Sequence, residues 1–211
     1  MASFADLRRM MVDCQLRTYD VTDRAVLAAA DHVPREALLP GELSHLAYID
    51  QPIALPGTGR ALPAPMVTAR MLQFLEVKPG ESVLEYAGGY GAALMAQMGA
   101  QATLLETDEA ALALAKAAFA RDDVPSVEAV ASLPANAQFE AVLVSGACEI
   151  APEPLFGHVA PGGRLIVIEG HGRAARAMLY RHVGESLSAR PVFDAAAPLL
   201  AEFRKAEAFV F

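Results

Sequence analysis

The residues with the clearest chemical potential are a glycine-rich turn and an acidic residue that follows it. Residues 83–91 read VLEYAGGYG, and fifteen positions after Gly91 the apolar run 102–105 ends in Glu106. Glycine lets the backbone approach a ligand where a Cβ would clash. A carboxylate at the tip of the second strand can accept hydrogen bonds from both hydroxyls of a ribose. The pattern predicts a nucleoside site, and the alternative is a glycine turn between core strands with no ligand.

The glycine spacing separates the candidate nucleoside ligands. A dinucleotide site needs G-x-G-x-x-G, so that amides at a helix N-terminus hold a pyrophosphate. The glycines here are Gly88, Gly89 and Gly91, which do not supply that pattern. Glu85, just before the turn, would repel a pyrophosphate and suits a cationic ligand. The pattern therefore favours S-adenosylmethionine, which carries a sulfonium, an ammonium and a ribose but no phosphate, over a nicotinamide dinucleotide.

Length, charge and hydropathy exclude several classes of protein. A chain of 211 residues with 54% hydrophobic residues fits one α/β domain with an appended subdomain. Its net charge of −8 argues against a nucleic-acid partner. Tyr86–Leu105 carries no formal charge, but its four glycines and two glutamines favour turn, helix and strand over a membrane span. The N-terminus has no apolar stretch of a secretory signal. We expect a cytoplasmic protein, and the sequence does not predict its oligomeric state.

Cysteine and histidine do not indicate a metal site. Cys14 and Cys148 lie far apart with no metal-like spacing, and we expect both to be buried structural thiols in a reducing compartment. The five histidines include no pair at i, i+4 spacing, so no metal is expected.

From Ser82 onward the sequence alternates between strand and helix, which is typical of a parallel α/β sheet. The predicted strands are Ser82–Tyr86, Ala102–Leu105, Val127–Val130, Ala141–Ser145 and Arg164–Ile168. The predicted helices are Ala92–Met98, Glu109–Ala120 (capped by Thr107 or Asp108) and 154–158. A turn is predicted at 161–163. The tail is predicted to be antiparallel, with strands Ala177–Val183, Leu187–Phe193 and Ala206–Phe211.

The first third of the chain predicts a helical region around an extended loop. Residues 4–15 show a helical apolar stripe, and Thr22 is predicted to cap a second helix that ends at Pro34. The proline-rich stretch 48–65 predicts an extended loop, followed by helix Met66–Leu75. We therefore expect a three-layer, Rossmann-like α/β fold. Its helical and acceptor-loop region (1–78) and its ligand-binding α/β region (79–211) would form one compact unit.

These segments together resemble the protein-L-isoaspartate O-methyltransferase family over nearly the whole chain. The matching segments are the N-terminal helices at 11–40, AYID at 47–50, VLEYAGGYG at 83–91, FEAVLVSGA at 139–147 and PGGRLIV at 161–167. The resemblance implies a class I methyltransferase fold with S-adenosylmethionine as the methyl donor. The implied acceptor is the side-chain carboxylate of an isoaspartyl residue in a damaged protein or peptide, so the implied role is protein repair.

The resemblance also implies a set of site residues. The methionine portion of the donor would lie against the turn, the ribose against Glu106, and the methyl near the tip of the fourth strand. The implied donor-binding residues are Glu85, Ala87, Gly88, Gly89, Tyr90, Gly91, Glu106, Thr107, Ala131, Ser132, Ser145 and Gly146. The candidate acceptor loop contains Arg60, Leu62 and Pro63, and no catalytic residue is assigned within it.

The sequence departs from the family pattern in three ways. Ala87 stands where the family has glycine, and its methyl is expected to crowd the donor or shift the turn. The family has an acid just beyond the third strand, where it would bind the adenine amino group, and the segment 127–134 has no acid at that point. Ala61 and Pro63 replace the threonine and serine whose hydroxyls would position the acceptor carboxylate. These losses predict weak or absent methylation, and they keep open a non-catalytic donor-binding or interaction protein, or a different acceptor.

Three further side chains have two interpretations each. Arg60 is expected either to hold the acceptor carboxylate bidentately or to be a solvated loop arginine. Tyr48 and Asp50 are expected either to line the acceptor cleft or to tie the loop to the core.

Overall fold

A computed structural model describes residues 2–184 and 186–206 of the chain. The strands are β1 (Ile53–Ala54), β2 (Ala61–Leu62), β3 (Ser82–Tyr86), β4 (Gln101–Leu105), β5 (Glu128–Val130), β6 (Phe139–Cys148), β7 (Val159–Glu169), β8 (Arg176–Val183) and β9 (Ser186–Asp194). The α-helices are α1 (Phe4–Met11), α2 (Arg24–His32), α3 (Pro65–Leu75), α4 (Tyr90–Gln97), α5 (Glu109–Phe119) and α6 (Glu153–Phe156).

Seven strands form one sheet in the order β5-β4-β3-β6-β7-β8-β9. The pairs among β3 to β7 are parallel, whereas β8 and β9 continue the sheet as antiparallel strands. The predicted α/β class with an antiparallel tail is therefore confirmed. The chain order reverses direction between β3 and β6, and ligands of open α/β sheets bind beside such a switch point, at the carboxyl ends of the strands.

The sheet is buried on both faces, which explains the continuous apolar runs of its central strands. On one face Val83 belongs to an apolar cluster that also contains residues of α2, α3 and α4. On the other face Leu84 belongs to a second cluster, which includes Leu155 of α6 and two residues of the C-terminal tail, Leu200 and Phe203. The first cluster runs without a break from the N-terminal helices to the sheet, and we propose that 1–78 and 79–211 form one compact unit.

Most predicted elements are present, with shifted ends. Strand β3 has the predicted bounds, and α4 begins two residues earlier than expected, at Tyr90. Asp108, one of the two predicted caps, accepts a hydrogen bond from the amide of Ala111 at 2.9 Å and caps α5. The cap predicted at Thr22 is wrong, because the side chain of Asp23 accepts from the first amides of α2.

Two loop predictions were incomplete. The expected extended loop at 48–65 contains a short antiparallel ladder in which Ile53 pairs with Leu62. The predicted turn at 161–163 lies within β7, where the pairing with β6 shifts register. Gly162 has φ +76°, and the ladder with β6 passes from Val159 directly to Arg164. The predicted turn residues therefore form an irregular segment inside the strand and not a break between two elements.

The two ends of the chain differ from their predictions in detail. Helix α1 is continued by a turn of π-helix at Val12–Leu16, on which Cys14 is exposed, so the prediction of two buried thiols holds only for Cys148. The turn between β8 and β9 contains Gly184 at φ +63°, whereas Glu185 lies outside the described residues. The strand predicted at 206–211 also falls outside them, except for Ala206, which is irregular.

None of the helices between residues 2 and 206 has the length and hydropathy needed to span a bilayer.

Candidate active site

The glycine turn after β3 is built from left-handed backbone. Ala87, Gly88 and Gly89 have φ values of +58°, +134° and +111°. Glycine adopts such angles without the steric cost that a Cβ brings, whereas alanine pays roughly 1 kcal/mol. The methyl of Ala87 lies in the apolar cluster on one face of the sheet and is 1% exposed. This departure therefore costs backbone strain, and the methyl itself is packed within the protein. The crowding of the donor by this methyl stays a prediction.

Glu85 lies beneath the turn and holds it in shape. Its carboxylate is 1% exposed and accepts hydrogen bonds from the amides of Gly89 at 2.9 Å, Gly91 at 3.2 Å and Ala92 at 2.6 Å. The hydroxyl of Ser145 donates to the same carboxylate. Amides at the start of a helix need such an acceptor. Glu85 therefore fixes the turn and the start of α4, and Ser145 joins β6 to it.

The environment of Glu85 predicts a pH-dependent contribution to stability. Burial raises the pKa of its carboxyl from 4.5 to about 7, although the hydrogen bonds from Ser145 and the turn amides lower it. The folded protein thus holds this proton more tightly than the unfolded chain. The contribution of this proton to stability is complete at a pH below the pKa that Glu85 has in the unfolded chain. It is lost as the pH rises through the pKa that Glu85 has in the folded protein. We expect the ¹³C carboxyl resonance that disappears in Glu85→Gln to titrate near the folded pKa. We also expect the free energy of unfolding of the wild type to fall, relative to that of Glu85→Gln, as the pH rises from 4.5 to about 7. A midpoint close to 4.5 would contradict this assignment.

Glu106 lies at the end of β4, beside the glycine turn. Tyr86 and Leu105 are paired in the ladder, and the amide of Ala87 donates to the carbonyl of Leu105 at 3.1 Å. The Glu106 side chain is 2% exposed. Its Oε1 accepts from the amide of Asp108 at 2.9 Å and from Nε of Arg60 at 2.8 Å. The predicted acid is therefore in the predicted place, and it is paired with an arginine of the candidate acceptor loop.

Arg60 is a buried, fully engaged cation. Besides Glu106, its guanidinium donates to Oγ1 of Thr107 at 2.9 Å and lies 2.9 and 3.1 Å from the two carboxylate oxygens of Glu202. The residue is 9% exposed. The expectation of a solvated loop arginine is wrong. The expectation of an arginine that holds the acceptor carboxylate is not what the structure shows either, since two other carboxylates occupy the guanidinium.

Sequence reasoning missed two residues of this site, Glu202 and Phe203. Glu202 comes from the C-terminal tail, and the hydroxyl of Tyr86 donates to it at 2.5 Å. The ring of Phe203 packs edge-on against the ring of Tyr86, with 5.7 Å between centroids. No local signal identifies Glu202, because its partners lie about a hundred residues or more away in the chain.

The remaining predicted donor residues lie along the same edge of the sheet. Gly146 is buried on β6, and a Cβ placed on it would lie 2.5 Å from Cγ of Leu200. Ala131 and Ser132 follow β5 and are exposed, and the amide of Glu106 donates to the carbonyl of Val130 just before them. The structure therefore brings the turn, Glu106, Ser145 and Gly146 together, and it places Ala131 and Ser132 one strand further along the sheet, after β5. Within residues 2–184 and 186–206, no cluster of three potential metal ligands is present.

Comparison with known proteins identifies the family. The family model for protein-L-isoaspartate(D-aspartate) O-methyltransferase matches residues 8–192. The chain belongs to the protein-L-isoaspartate O-methyltransferase family. It is 35% identical to protein-L-isoaspartate O-methyltransferase 1 of Rhodopseudomonas palustris, over 84% of this chain and 75% of that protein. It is 34% identical to the Roseiflexus enzyme, over 90% of each.

Solved structures agree with the fold of this family. The chain resembles a Plasmodium falciparum protein named as a protein-L-isoaspartate O-methyltransferase, crystallised with S-adenosyl-L-homocysteine. The TM-score is 0.75 at 19% identity, over 92% of this chain and 98% of that one. At that identity the likeness supports the Rossmann-like methyltransferase fold.

In this member of the family, a buried arginine joins the acceptor loop to the glycine turn. Arg35 is 0% exposed and donates to the carbonyls of Ala47 at 2.9 Å and Pro63 at 2.7 Å. Its guanidinium lies over the ring of Tyr90, 4.7 Å from the centroid. A cation over an aromatic face is stabilised most when both are desolvated. Arg35 therefore sets the position of Pro63 relative to the first residue of α4.

Several side chains of the candidate acceptor loop turn inward. Leu62 is fully buried, so it contributes to the core and not to an open cleft. Asp50 accepts from the amide of Met66 at 3.3 Å, and the hydroxyl of Tyr48 donates to Glu36. These contacts correspond to the interpretation in which Tyr48 and Asp50 tie the loop to the core.

Proposed function

We propose that this protein transfers a methyl group from S-adenosylmethionine to the side-chain carboxylate of isoaspartyl residues in damaged proteins. The observation that carries the proposal is the buried Glu106 carboxylate beside a left-handed glycine turn, within a chain whose family match spans residues 8–192. Relatives at 34–35% identity are named for this activity.

The donor site fits a cationic nucleoside without phosphate. The turn amides of Gly89 and Gly91 are already taken by Glu85, which leaves them unavailable to a pyrophosphate. Glu106 supplies the acceptor oxygens for ribose hydroxyls. We propose that Ala131 and Ser132 line the adenine end and that Ser145 and Gly146 lie near the methyl. When bound, S-adenosylmethionine supplies a methyl group activated by its sulfonium.

The acceptor needs alignment and not a strong base. A carboxylate is already ionised at neutral pH. Holding two reactants in the productive geometry contributes about 7–11 kcal/mol in favourable cases. In this chain the backbone at Pro63 is fixed by Arg35. Neither Ala61 nor Pro63 has a side-chain donor for the acceptor oxygens. We therefore propose that the protein methylates isoaspartyl residues slowly.

A methylation assay tests this function. We expect radiolabelled S-adenosylmethionine to label a peptide containing one isoaspartyl residue and not the matching aspartyl peptide. The double substitution Ala61→Thr and Pro63→Ser restores two hydroxyls, and we expect it to raise kcat/KM by roughly 10-fold, or about 1.4 kcal/mol. The bond from Arg35 to residue 63 is kept in this variant, because it ends on a backbone carbonyl.

The matched control is Ala61→Val and Pro63→Ala, which changes the same positions without adding a hydroxyl and is expected to give no gain. Labelling of neither peptide by any of the three proteins would contradict the proposed activity. Equal gains in both double variants would remove the hydroxyls from the explanation.

We also propose where the protein works and on what. Its thiols are free, with Cys14 exposed, which fits a reducing compartment such as the cytoplasm. The net charge of −8 favours a protein or peptide acceptor over nucleic acid or an anionic membrane surface.

A further inference from the structure

The C-terminal strap, residues 198–203, crosses the carboxyl edge of the sheet above the candidate active site. The amide of Ala147 donates to the carbonyl of Pro198 at 2.7 Å, and the amide of Leu200 donates back to Ala147 at 2.9 Å. Further along, the amides of Glu149 and Ile150 donate to the carbonyl of Phe203 at 2.9 and 3.2 Å. The strap is therefore bound to the end of β6 at both of its ends.

The strap also covers the positions that the donor needs. Leu200 packs directly on Gly146, where a Cβ would come within 2.5 Å of it. Phe203 packs on Tyr86, the last residue of β3 before the turn. Both apolar side chains are buried, and their burial holds the strap in place.

A cluster of ion pairs, here called the clasp and formed by Arg60, Glu106 and Glu202, connects the strap to Glu106, the proposed ribose-binding carboxylate. Arg60 stands between Glu106 of the sheet and Glu202 of the strap, with nitrogen–oxygen distances of 2.8 and 2.9 Å. The hydroxyl of Tyr86 donates to Oε1 of Glu202, the same oxygen that lies 2.9 Å from Arg60. The clasp thus connects three parts of the chain: the acceptor loop, the end of β4 and the tail.

This clasp competes with a ribose for the same oxygen. A carboxylate oxygen has about two acceptor positions, and those of Glu106 Oε1 are taken by Nε of Arg60 and the amide of Asp108. Both hydrogen bonds to this carboxylate from the described residues end on Oε1. A nucleoside that uses both carboxylate oxygens must therefore displace one of these two donors. Arg60 is the one that is a side chain, whereas the Asp108 amide belongs to the backbone just before α5.

We propose that the Arg60–Glu202 clasp holds the donor site closed, and that the donor binds when Arg60 leaves Glu106 and the strap moves off Gly146. The inference rests on the proposed function, because it takes Glu106 as the ribose acid. Removing the clasp then has an effect opposite to that of removing an ordinary structural contact. Without Arg60, the carboxylate of Glu106 is free to accept hydrogen bonds from the ribose hydroxyls, so the affinity for the donor rises.

Calorimetric titration with S-adenosylhomocysteine tests the clasp. We expect Glu202→Gln, which weakens the clasp but leaves Arg60 beside Glu106, to bind about 3-fold tighter than wild type. We expect Arg60→Met to bind about 10-fold tighter. The matched control is Arg121→Met, which removes an exposed arginine paired with Asp123 and is expected to leave the affinity unchanged. Glu202→Gln keeps the test valid if Arg60→Met does not fold.

Hydrogen exchange provides a second measurement, independent of activity. In the wild type, S-adenosylhomocysteine is expected to speed exchange at the amides of Ala147, Glu149 and Leu200, which the closed strap protects. Slower or unchanged exchange at these amides, or equal or weaker binding by Glu202→Gln, would overturn the clasp while leaving the proposed function intact. Absence of binding by the wild type and by every variant would overturn the clasp together with the donor site.

Discussion

Replacing Glu106 with alanine is expected to weaken binding of S-adenosylhomocysteine by roughly 100-fold. The variant removes the carboxylate that would accept both ribose hydroxyls, and each hydrogen bond to a charged group contributes about 1.5 kcal/mol or more. It also leaves Arg60 with Glu202 as its only carboxylate partner among the described residues. The measurement is calorimetric titration of wild type and variant under the same buffer conditions.

The control for this prediction is Glu128→Ala, which removes an exposed glutamate at the start of β5. Its affinity is expected to match that of the wild type, and circular dichroism should show the same fold in all three proteins. If Glu106→Ala bound the ligand as tightly as the wild type, Glu106 would have no part in ribose recognition. The donor site would then have to lie elsewhere.

Replacing Gly91 with alanine is expected to lower the free energy of unfolding by about 2–3 kcal/mol. A Cβ at this position would lie 2.3 Å from Cδ2 of Leu143 and 2.8 Å from Oε1 of Glu85. Leu143 is fully buried on β6 and Glu85 is held by the turn amides, so neither has free space to retreat into. The greater helix propensity of alanine offsets up to about 1 kcal/mol of this cost. Urea denaturation followed by circular dichroism measures the difference.

Gly157→Ala is the matched control, because a Cβ there meets nothing within 4 Å and the residue has φ −63°. We expect its free energy of unfolding to be equal to or slightly above that of the wild type. Equal stability of Gly91→Ala and the wild type would show that Leu143 and Glu85 can be rearranged without cost. The turn would then be less rigid than its contacts indicate.

The parts of the site that the sequence predicted are those in which local pattern and tertiary structure agree. The apolar run of β3 is buried on both faces, so its bounds follow from hydropathy alone. Glu106 follows a second such run at a fixed spacing, and parallel pairing of β3 and β4 necessarily brings it beside the turn. The glycines at 88 and 89 were informative because only backbone with positive φ makes this turn.

The parts that the sequence did not predict depend on contacts between distant segments. Arg60 looked like a loop arginine because its partner Glu202 lies 142 positions away in a tail without a motif. Glu85 was predicted to bind the ligand. In the structure its oxygens accept hydrogen bonds from the amides of Gly89 and Ala92, which come within reach only when the turn has formed. The 161–163 segment was predicted as a turn and its Gly162 does have φ +76°, but pairing with β6 resumes at Arg164, so the turn residues lie inside β7.

The shared anchor at Arg35 has a thermodynamic consequence. One guanidinium holds the carbonyl of Pro63 and lies against the ring of Tyr90, so a shift of the loop and a shift of the helix start change the same contacts. If the donor contacts the turn and the peptide contacts the loop, as proposed above, both ligands act on this one element and their binding is linked. Whatever factor the donor applies to the affinity for the peptide, the peptide applies to the affinity for the donor. Arg35→Lys would reduce both factors equally, because linkage between two binding equilibria is reciprocal.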